Sequence, residues 1–417
     1  MKAYSISGPV SLEGRVAVAG AKNSALKIMA ASLMVPGEVR LGRVPRITDV
    51  SLMADVLRHL GARVERHEGG LTIDASGDLQ DETPYELVRK MRASIQVLGP
   101  LLARLGRARV ALPGGDAIGS RPIDLHLDGL ERMGAKLTSQ HGFVEGVVDR
   151  FRGTRVLLEF PSVGATENLL MSAVTATGTT TIENAAREPE IQDLASFLSA
   201  CGAIIDGAGT PSITIRGVDE LVPVSYEILP DRIEAGTYAI GAAATRGRVA
   251  IAGIVPAHLE LVLQKLQDAG AEVGVGDEEV EVSMSRRPGA LDLVTLPYPG
   301  FPTDLQPMMM VLLAQAGGSS ILTENVFEAR FLFVDELNRM GSNILVEGHH
   351  AVIRGVERLS GAPVKAPDIR AGAGLVLGGL CAEGVTDVYD VGHIERGYED
   401  FVDKMNGLGA GIRLVAA

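Results

Sequence analysis

The chain has 417 residues, enough at about 150 per domain for two or three domains that each bury a core. Its composition is globular, 46% hydrophobic and 22% charged, and fifty Gly beside seven Tyr, nine Phe and no Trp point to many turns and a core of small aliphatic side chains. A formal net charge of −13 with so few aromatics argues against a nucleic-acid partner, so any anionic ligand has to be held by a local basic cluster.

The first residues, Met1 to Ser7, lack an apolar signal core, and no apolar run approaches the roughly 20 residues of a membrane helix, so no membrane association is expected. Cys201 and Cys381 are the only cysteines, and both lie in apolar surroundings. Neither a disulfide framework nor a multi-cysteine metal site is indicated, and a reducing cytoplasm fits.

Further along, one tripeptide pattern recurs six times, each time after an amphipathic helical stretch and before an alternating, strand-like one. The copies are Leu60-Gly61-Ala62, Met133-Gly134-Ala135, Cys201-Gly202-Ala203, Ala269-Gly270-Ala271, Met340-Gly341-Ser342 and Leu408-Gly409-Ala410, with successive glycines 73, 68, 68, 71 and 68 residues apart. A helix closed by a left-handed glycine and followed by a strand such as Ala62-Arg63-Val64-Glu65 accounts for the pattern. Some 23 to 28 residues before each of these glycines, an apolar segment of small residues ends in another glycine: Gly37, Gly106, Gly178, Gly247, Gly318 and Gly384. The segments themselves, such as Ala25 to Met34, Ser94 to Leu105, Glu167 to Thr177, Pro307 to Ala316 and Ala371 to Ala382, are apolar on nearly every face, and helices of that kind belong inside.

Each repeat of about 70 residues thus reads as buried helix, strand, amphipathic helix, strand and strand, which is too long and too helical for a β-solenoid. Such a unit cannot form a core alone. Three of them make a domain of ordinary size, and the predicted fold is α/β in two domains: 22–229, and 1–21 together with 230–417. The joint is expected near Pro223 to Asp231, with a second crossing near Gly20, and ligands favour clefts between domains.

Chemistry is sought where buried helices begin, since free N–H groups and the helix dipole favour an anion there. Lys22-Asn23, Arg92, Ser162-Val163-Gly164, Asp231-Arg232, Thr303-Asp304 and Asp368-Ile369-Arg370 occupy such starts. The Ser, Thr, Asn and Asp members have an ordinary alternative role as N-caps. Cations are unfavourable at a helix N-terminus unless an anion joins them, so Lys22, Arg92, Arg232 and Arg370 point to an anion site, with Arg330 and Arg396 just after repeat strands. The segment Leu112 to His126 has three glycines within six residues between Pro113 and Pro122; it reads as a hinged flap bringing Asp116 and Arg121 to one ligand, or as a plain surface turn. His126 reads as a ligand group or a hydrogen-bonded core residue. Adjacent strand residues point to opposite faces, so His349-His350 reads as a solvated turn rather than a metal pair. No dinucleotide fingerprint or Walker lysine motif is present.

These segments, with Arg121-Pro122-Ile123-Asp124-Leu125-His126, Gly300-Phe301-Pro302-Thr303-Asp304, Thr323-Glu324-Asn325-Val326-Phe327-Glu328 and His393-Ile394-Glu395-Arg396-Gly397-Tyr398, run in order along nearly the whole chain. In them the sequence resembles the UDP-N-acetylglucosamine enolpyruvyl transferases, which catalyse the first committed step of peptidoglycan synthesis. The resemblance implies two inside-out α/β barrels of three repeats each. It also implies transfer of the enolpyruvyl group of phosphoenolpyruvate to the 3-hydroxyl of UDP-N-acetylglucosamine, without cofactor or metal. By motif, Lys22, Arg121 and Arg396 would hold phosphoenolpyruvate, with Arg92 and Arg370 nearby, Asp304 would be the general base, and Asn23 would stabilise the tetrahedral intermediate. Pro122, Ile123, Asp124, Leu125, Ser162, Val163, Gly164, Val326, Phe327, Arg330 and Asp368 would complete the substrate contacts. Most of the family carries cysteine where this chain has Asp116, a departure that implies resistance to fosfomycin-type epoxides, and many members carry lysine where it has Phe160. Alternatives in view are an enolpyruvyl transferase for shikimate 3-phosphate or another nucleotide, and a non-catalytic UDP-sugar-binding protein.

Overall fold

The structure, a computed structural model, describes residues 2–89, 91–112, 114, 118 and 123–416. The chain divides into two compact units, one taking in Met1–Ala19 and Pro230–Ala417, the other Gly20–Gly115 and Arg121–Leu229. Each has its own apolar core.

Six buried helices form those cores. Lys22–Ala31, Leu98–Leu105 and Val163–Ala173 lie in the Gly20–Leu229 unit, and Arg232–Ala244, Gln306–Ala314 and Ile369–Cys381 in the other. Gln306–Ala314 shows why such segments go inside: all nine residues are buried, and each Met or Leu side chain taken from water contributes about 1.5–3 kcal/mol. Pro307 is tolerated in its first turn, where a missing N–H removes no helix bond. Small residues set how closely these helices pack; a Cβ added at Gly236 would come within 2.3 Å of the Leu305 side chain.

After each of the first five buried helices come a strand, an amphipathic helix and a β-hairpin; after the sixth come a strand, an amphipathic helix and a single strand. The six amphipathic helices, Thr48–His59, Asp124–Arg132, Pro189–Ala200, Glu260–Asp268, Val334–Arg339 and Phe401–Gly407, are each closed by a glycine of the recurring tripeptide. All six glycines have φ between 84° and 106°, which a side chain would make costly. This is the physical origin of the repeat seen in the sequence.

The strands, among the described residues, form six sheets of three to five strands, three in each unit. In each unit three separate sheets surround a bundle of buried helices, the helices-inside, sheets-outside arrangement of three repeats that was expected. A short strand preceding several of the buried helices was not evident in the sequence. Arg155–Leu157, Leu293–Thr295 and Pro363–Lys365 each run parallel to the strand that follows the helix. Three residues are too few to show an alternating pattern.

Before the first and fourth buried helices the corresponding strand pairs elsewhere. Glu13–Ala17 lies parallel to Arg248–Ala252, and Ser225–Glu227 lies parallel to Glu38–Gly42 with Tyr226 opposite Leu41. The first strand, Lys2–Gly8, sits antiparallel between Ala382–Tyr389 and Arg413–Ala416, where other repeats use their own last strand. No helix among the described residues is long and apolar enough to cross a membrane.

Candidate active site

In the unit of Met1–Ala19 and Pro230–Ala417, Arg330 and Arg370 meet at Asp304. This residue lies in a short 3-10 turn, Thr303–Leu305, leading into the fifth buried helix. Arg330 Nη1 and Nη2 donate to one carboxylate oxygen at 3.0 and 2.8 Å, and Arg370 Nε and Nη2 donate to the other at 3.3 Å. The Arg330 and Arg370 side chains are 2% and 5% exposed, against 24% for Asp304. Charge-assisted bonds at a mostly buried carboxylate hold it in one orientation. Burial works against the Arg370 charge, but Tyr398 and Asp304 outweigh it, and the guanidinium is held above the usual arginine range.

Neighbouring segments brace this trio. Asp368 caps the sixth buried helix by accepting from the backbone N–H groups of Arg370 and Ala371 at 2.8 and 2.9 Å, which fixes where Arg370 leaves the helix. Glu324 accepts from the backbone N–H groups of Val326 and Phe327 at 2.8 and 3.0 Å, and its other oxygen accepts from Thr303 at 3.0 Å. That ties the Val326-Phe327 turn to the turn carrying Asp304. Arg396 is half-buried and directly follows the helical turn Gly392–Glu395. Two hollows of about 240 and 280 Å³ lie in this unit, below the usual range for ligand pockets, and neither is lined by Asp304, Arg330 or Arg370.

In the other unit, Lys22 is the first residue of its buried helix, and its ammonium sits 2.9 Å from Asp49, with both side chains 10% exposed or less. Asn23 follows it, and the Asn23 carbonyl accepts from Lys27 Nζ at 2.9 Å. Arg92 opens the 3-10 turn Arg92–Val97. Ser162 caps the third buried helix, its hydroxyl accepting from Ala165 N–H at 3.3 Å, and Val163 and Gly164 are the next residues. Ile123, Asp124 and Leu125 form the start of Asp124–Arg132, with Ile123 and Leu125 half-buried and Asp124 exposed. Asp116, Arg121 and Pro122 lie outside the described residues.

Of the two readings for His126, the structure supports the core residue. The Asn168 amide is oriented by Gly99 N–H donating to its oxygen and by its own nitrogen donating to the Ile95 carbonyl, so that nitrogen also donates to His126 Nδ1 at 3.0 Å. An accepting Nδ1 makes the ring neutral. Burial first, then the charge of Arg92, pushes its pKa down to about 3. Gly164 lets the ring approach, since a Cβ there would stand 3.0 Å from it. His349 falls in a hairpin turn and both His349 and His350 are exposed, with His350 Nδ1 2.9 Å from the Thr323 hydroxyl. Phe160 is 43% exposed.

The sequence points to an anionic ligand at Lys22 and Arg370; in the structure Asp49 and Asp304 supply an anion to each from within the protein. Asp49 was missed because an acid in the first turn of Thr48–His59 looks like ordinary helix-dipole chemistry. Glu324 stands in a quoted motif without a role, and Thr303 reads from the sequence only as a helix cap.

Comparison with known proteins now bears on this geometry. The family described as EPSP synthase (3-phosphoshikimate 1-carboxyvinyltransferase) matches residues 6–405. A UDP-N-acetylglucosamine 1-carboxyvinyltransferase 2 of Carboxydothermus hydrogenoformans is 55% identical over 100% of both chains, and a UDP-N-acetylglucosamine 1-carboxyvinyltransferase of Mycobacterium tuberculosis is 53% identical over 99% of both. The chain belongs to the UDP-N-acetylglucosamine 1-carboxyvinyltransferase family. Among solved structures, the enolpyruvyl transferase NikO from Streptomyces tendae superposes with a TM-score of 0.90 at 27% identity, covering 100% of this chain and 99% of that one. The six-sheet arrangement described above is therefore the enolpyruvyl transferase fold, and the clustered charges are the part of it to which chemistry has to be assigned.

Proposed function

We propose that this protein transfers the enolpyruvyl group of phosphoenolpyruvate to the 3-hydroxyl of UDP-N-acetylglucosamine, releasing phosphate, as the first committed step of peptidoglycan synthesis. Full-length kinship to enzymes named for that reaction carries the proposal. The fixed carboxylate of Asp304 between two buried guanidiniums supports it from the geometry. A cytoplasmic location goes with this reading, as does a division of labour between two domains, 22–229 and 1–21 with 230–417.

In the reaction, the sugar hydroxyl oxygen bonds to the central carbon of phosphoenolpyruvate while a proton adds to its methylene carbon. Breaking the bond from the central carbon to the phosphate oxygen, with loss of one methyl proton, restores the double bond. An acid and a base are thus both required. Asp304 is the base in this proposal, and Asp116 the acid, a role that burial would favour by keeping its carboxyl protonated. Lys22, Arg121 and Arg396 hold the phosphate and carboxylate of phosphoenolpyruvate, aided by Arg92 and Arg370, and Asn23 steadies the tetrahedral intermediate. The turns at Pro122 to Leu125, Ser162 to Gly164 and Val326-Phe327, with Arg330 and Asp368, complete the substrate contacts.

The test is phosphate release from phosphoenolpyruvate with UDP-N-acetylglucosamine, compared with shikimate 3-phosphate and with other nucleotides. Release only with one of the latter would reassign the acceptor, and binding without release would make the protein a UDP-sugar sensor. The flap residue gives a second test. A carboxylate is a far poorer nucleophile than a thiolate, so a fosfomycin-type epoxide should leave the parent active but inactivate Asp116→Cys with time. Asp116→Asn should lose activity by about 10²-fold or more, since an amide is no proton donor. An epoxide adduct on Asp116, or full activity in Asp116→Asn, would overturn that role.

A further inference from the structure

A buried charge cluster outside the residues assigned above links two of the turns that carry them. Lys27 stands one turn after Asn23 in the first buried helix, and Glu167 one turn after Val163 in the third. Their side chains are 10% and 0% exposed, with Lys27 Nζ 3.3 Å from Glu167 Oε1. Lys27 Nζ also donates to the Asn23 carbonyl at 2.9 Å. Gln96, from the turn that Arg92 opens, donates through Nε2 both to Glu167 Oε2 at 2.9 Å and to the Gly164 carbonyl at 3.1 Å.

Three side chains from three helices thereby join the Asn23 carbonyl to the Gly164 carbonyl. An ion pair in a core is an expensive way to pack, since apolar residues of similar volume commonly serve stability as well or better. What such a pair provides, and apolar side chains do not, is direction. Here the direction is spent on the backbone of Asn23 and of Gly164, each beside residues proposed to touch substrate.

We infer that Lys27, Glu167 and Gln96 are positioning residues for the transfer, holding the Lys22-Asn23 turn in register with the Ser162–Gly164 turn. The inference rests on the site roles proposed above. Misplacement of reacting groups by about 1 Å can cost on the order of 10²-fold in rate, so the effect belongs in turnover and KM rather than in folding.

The test uses the full-length protein and two variants, and begins with the parent. The double variant Lys27→Met with Glu167→Leu removes both charges at similar volume, and it should melt no lower than the parent while kcat falls by about tenfold or more. Gln96→Leu leaves the Lys27–Glu167 ion pair in place but removes the donor to Glu167 Oε2 and to the Gly164 carbonyl, and it should raise KM for UDP-N-acetylglucosamine by about tenfold with a smaller change in kcat. Parental kcat and KM in a folded double variant would overturn the inference. If the double variant does not fold, Gln96→Leu decides: unchanged KM overturns the inference and a raised KM supports it. Absence of phosphate release from the parent itself would instead sink the proposed reaction, so the two failures are told apart.

Discussion

In the unit of Gly20–Gly115 and Arg121–Leu229, the buried ammonium groups of Lys22 and Lys27 are each paired with a different carboxylate, Lys22 with Asp49 and Lys27 with Glu167. In the other unit one carboxylate, Asp304, is shared by two guanidiniums, Arg330 and Arg370. The difference matters for what each group can do when an anion arrives. In a one-to-one ion pair, loss of either charge leaves the other buried without its counter-charge. A carboxylate shared by two guanidiniums can release one set of donors to a substrate and keep the other, so that trio can exchange partners at lower cost.

The largest effect expected from breaking this comparison is at the shared carboxylate. Asp304→Ala should reduce turnover by about 10²- to 10⁴-fold through loss of the base. It should also cost about 3–5 kcal/mol of stability, because Arg330 and Arg370 then lie buried against each other. Phosphate-release rates and thermal melts check both parts, and near-parental turnover would remove Asp304 from the chemistry.

The one-to-one pair gives the next effect. Asp49→Asn removes the negative charge 2.9 Å from the Lys22 ammonium and should cost about 3–5 kcal/mol in a urea melt. Phosphoenolpyruvate should then raise the melting temperature of the variant more than that of the parent, since an anionic ligand supplies the missing counter-charge. Equal shifts in the two proteins would mean that Lys22 does not meet the ligand.

The smallest effect appears only in acid and concerns the neutral ring beside Arg92. His126 has its folded pKa depressed to about 3 by burial and by Arg92, so its contribution is present above pH 6.5 and is lost as pH falls toward 3. Glu167 acts with the opposite sign. Burial raises it to about 7 against the pull of Lys27, so its contribution is full below pH 4.5 and fades as pH rises through 7. Stability of His126→Gln measured against the parent across pH 3 to 7 isolates the first term, and the variant should lose less stability on acidification. Parallel curves would show that the ring is not held neutral.

Much of the architecture was legible because it rests on local rules. Six left-handed glycines cannot be replaced cheaply, so the closing tripeptides mark the repeat, and helices apolar on every face announce their own burial. The three-residue parallel strands left no such trace, and the pairing of Glu13–Ala17 with Arg248–Ala252 joins residues more than 230 apart. In the candidate site, Asp304, Arg330 and Arg370 were found as isolated cations and a cap-like acid. Their junction was not, because it is made by side chains from three segments of one unit.

By itself, then, the amino-acid order determined the six repeats, the inward helices, the family resemblance and the types of charged group at the helix starts, since each depends on residues within a turn or two of one another. Only tertiary structure decided that Asp49 answers Lys22, that Glu167 answers Lys27, that one carboxylate serves two guanidiniums, and that His126 is neutral against Asn168. Those outcomes depend on distance and desolvation between segments far apart in the chain, where the strength of a charge interaction is set by burial.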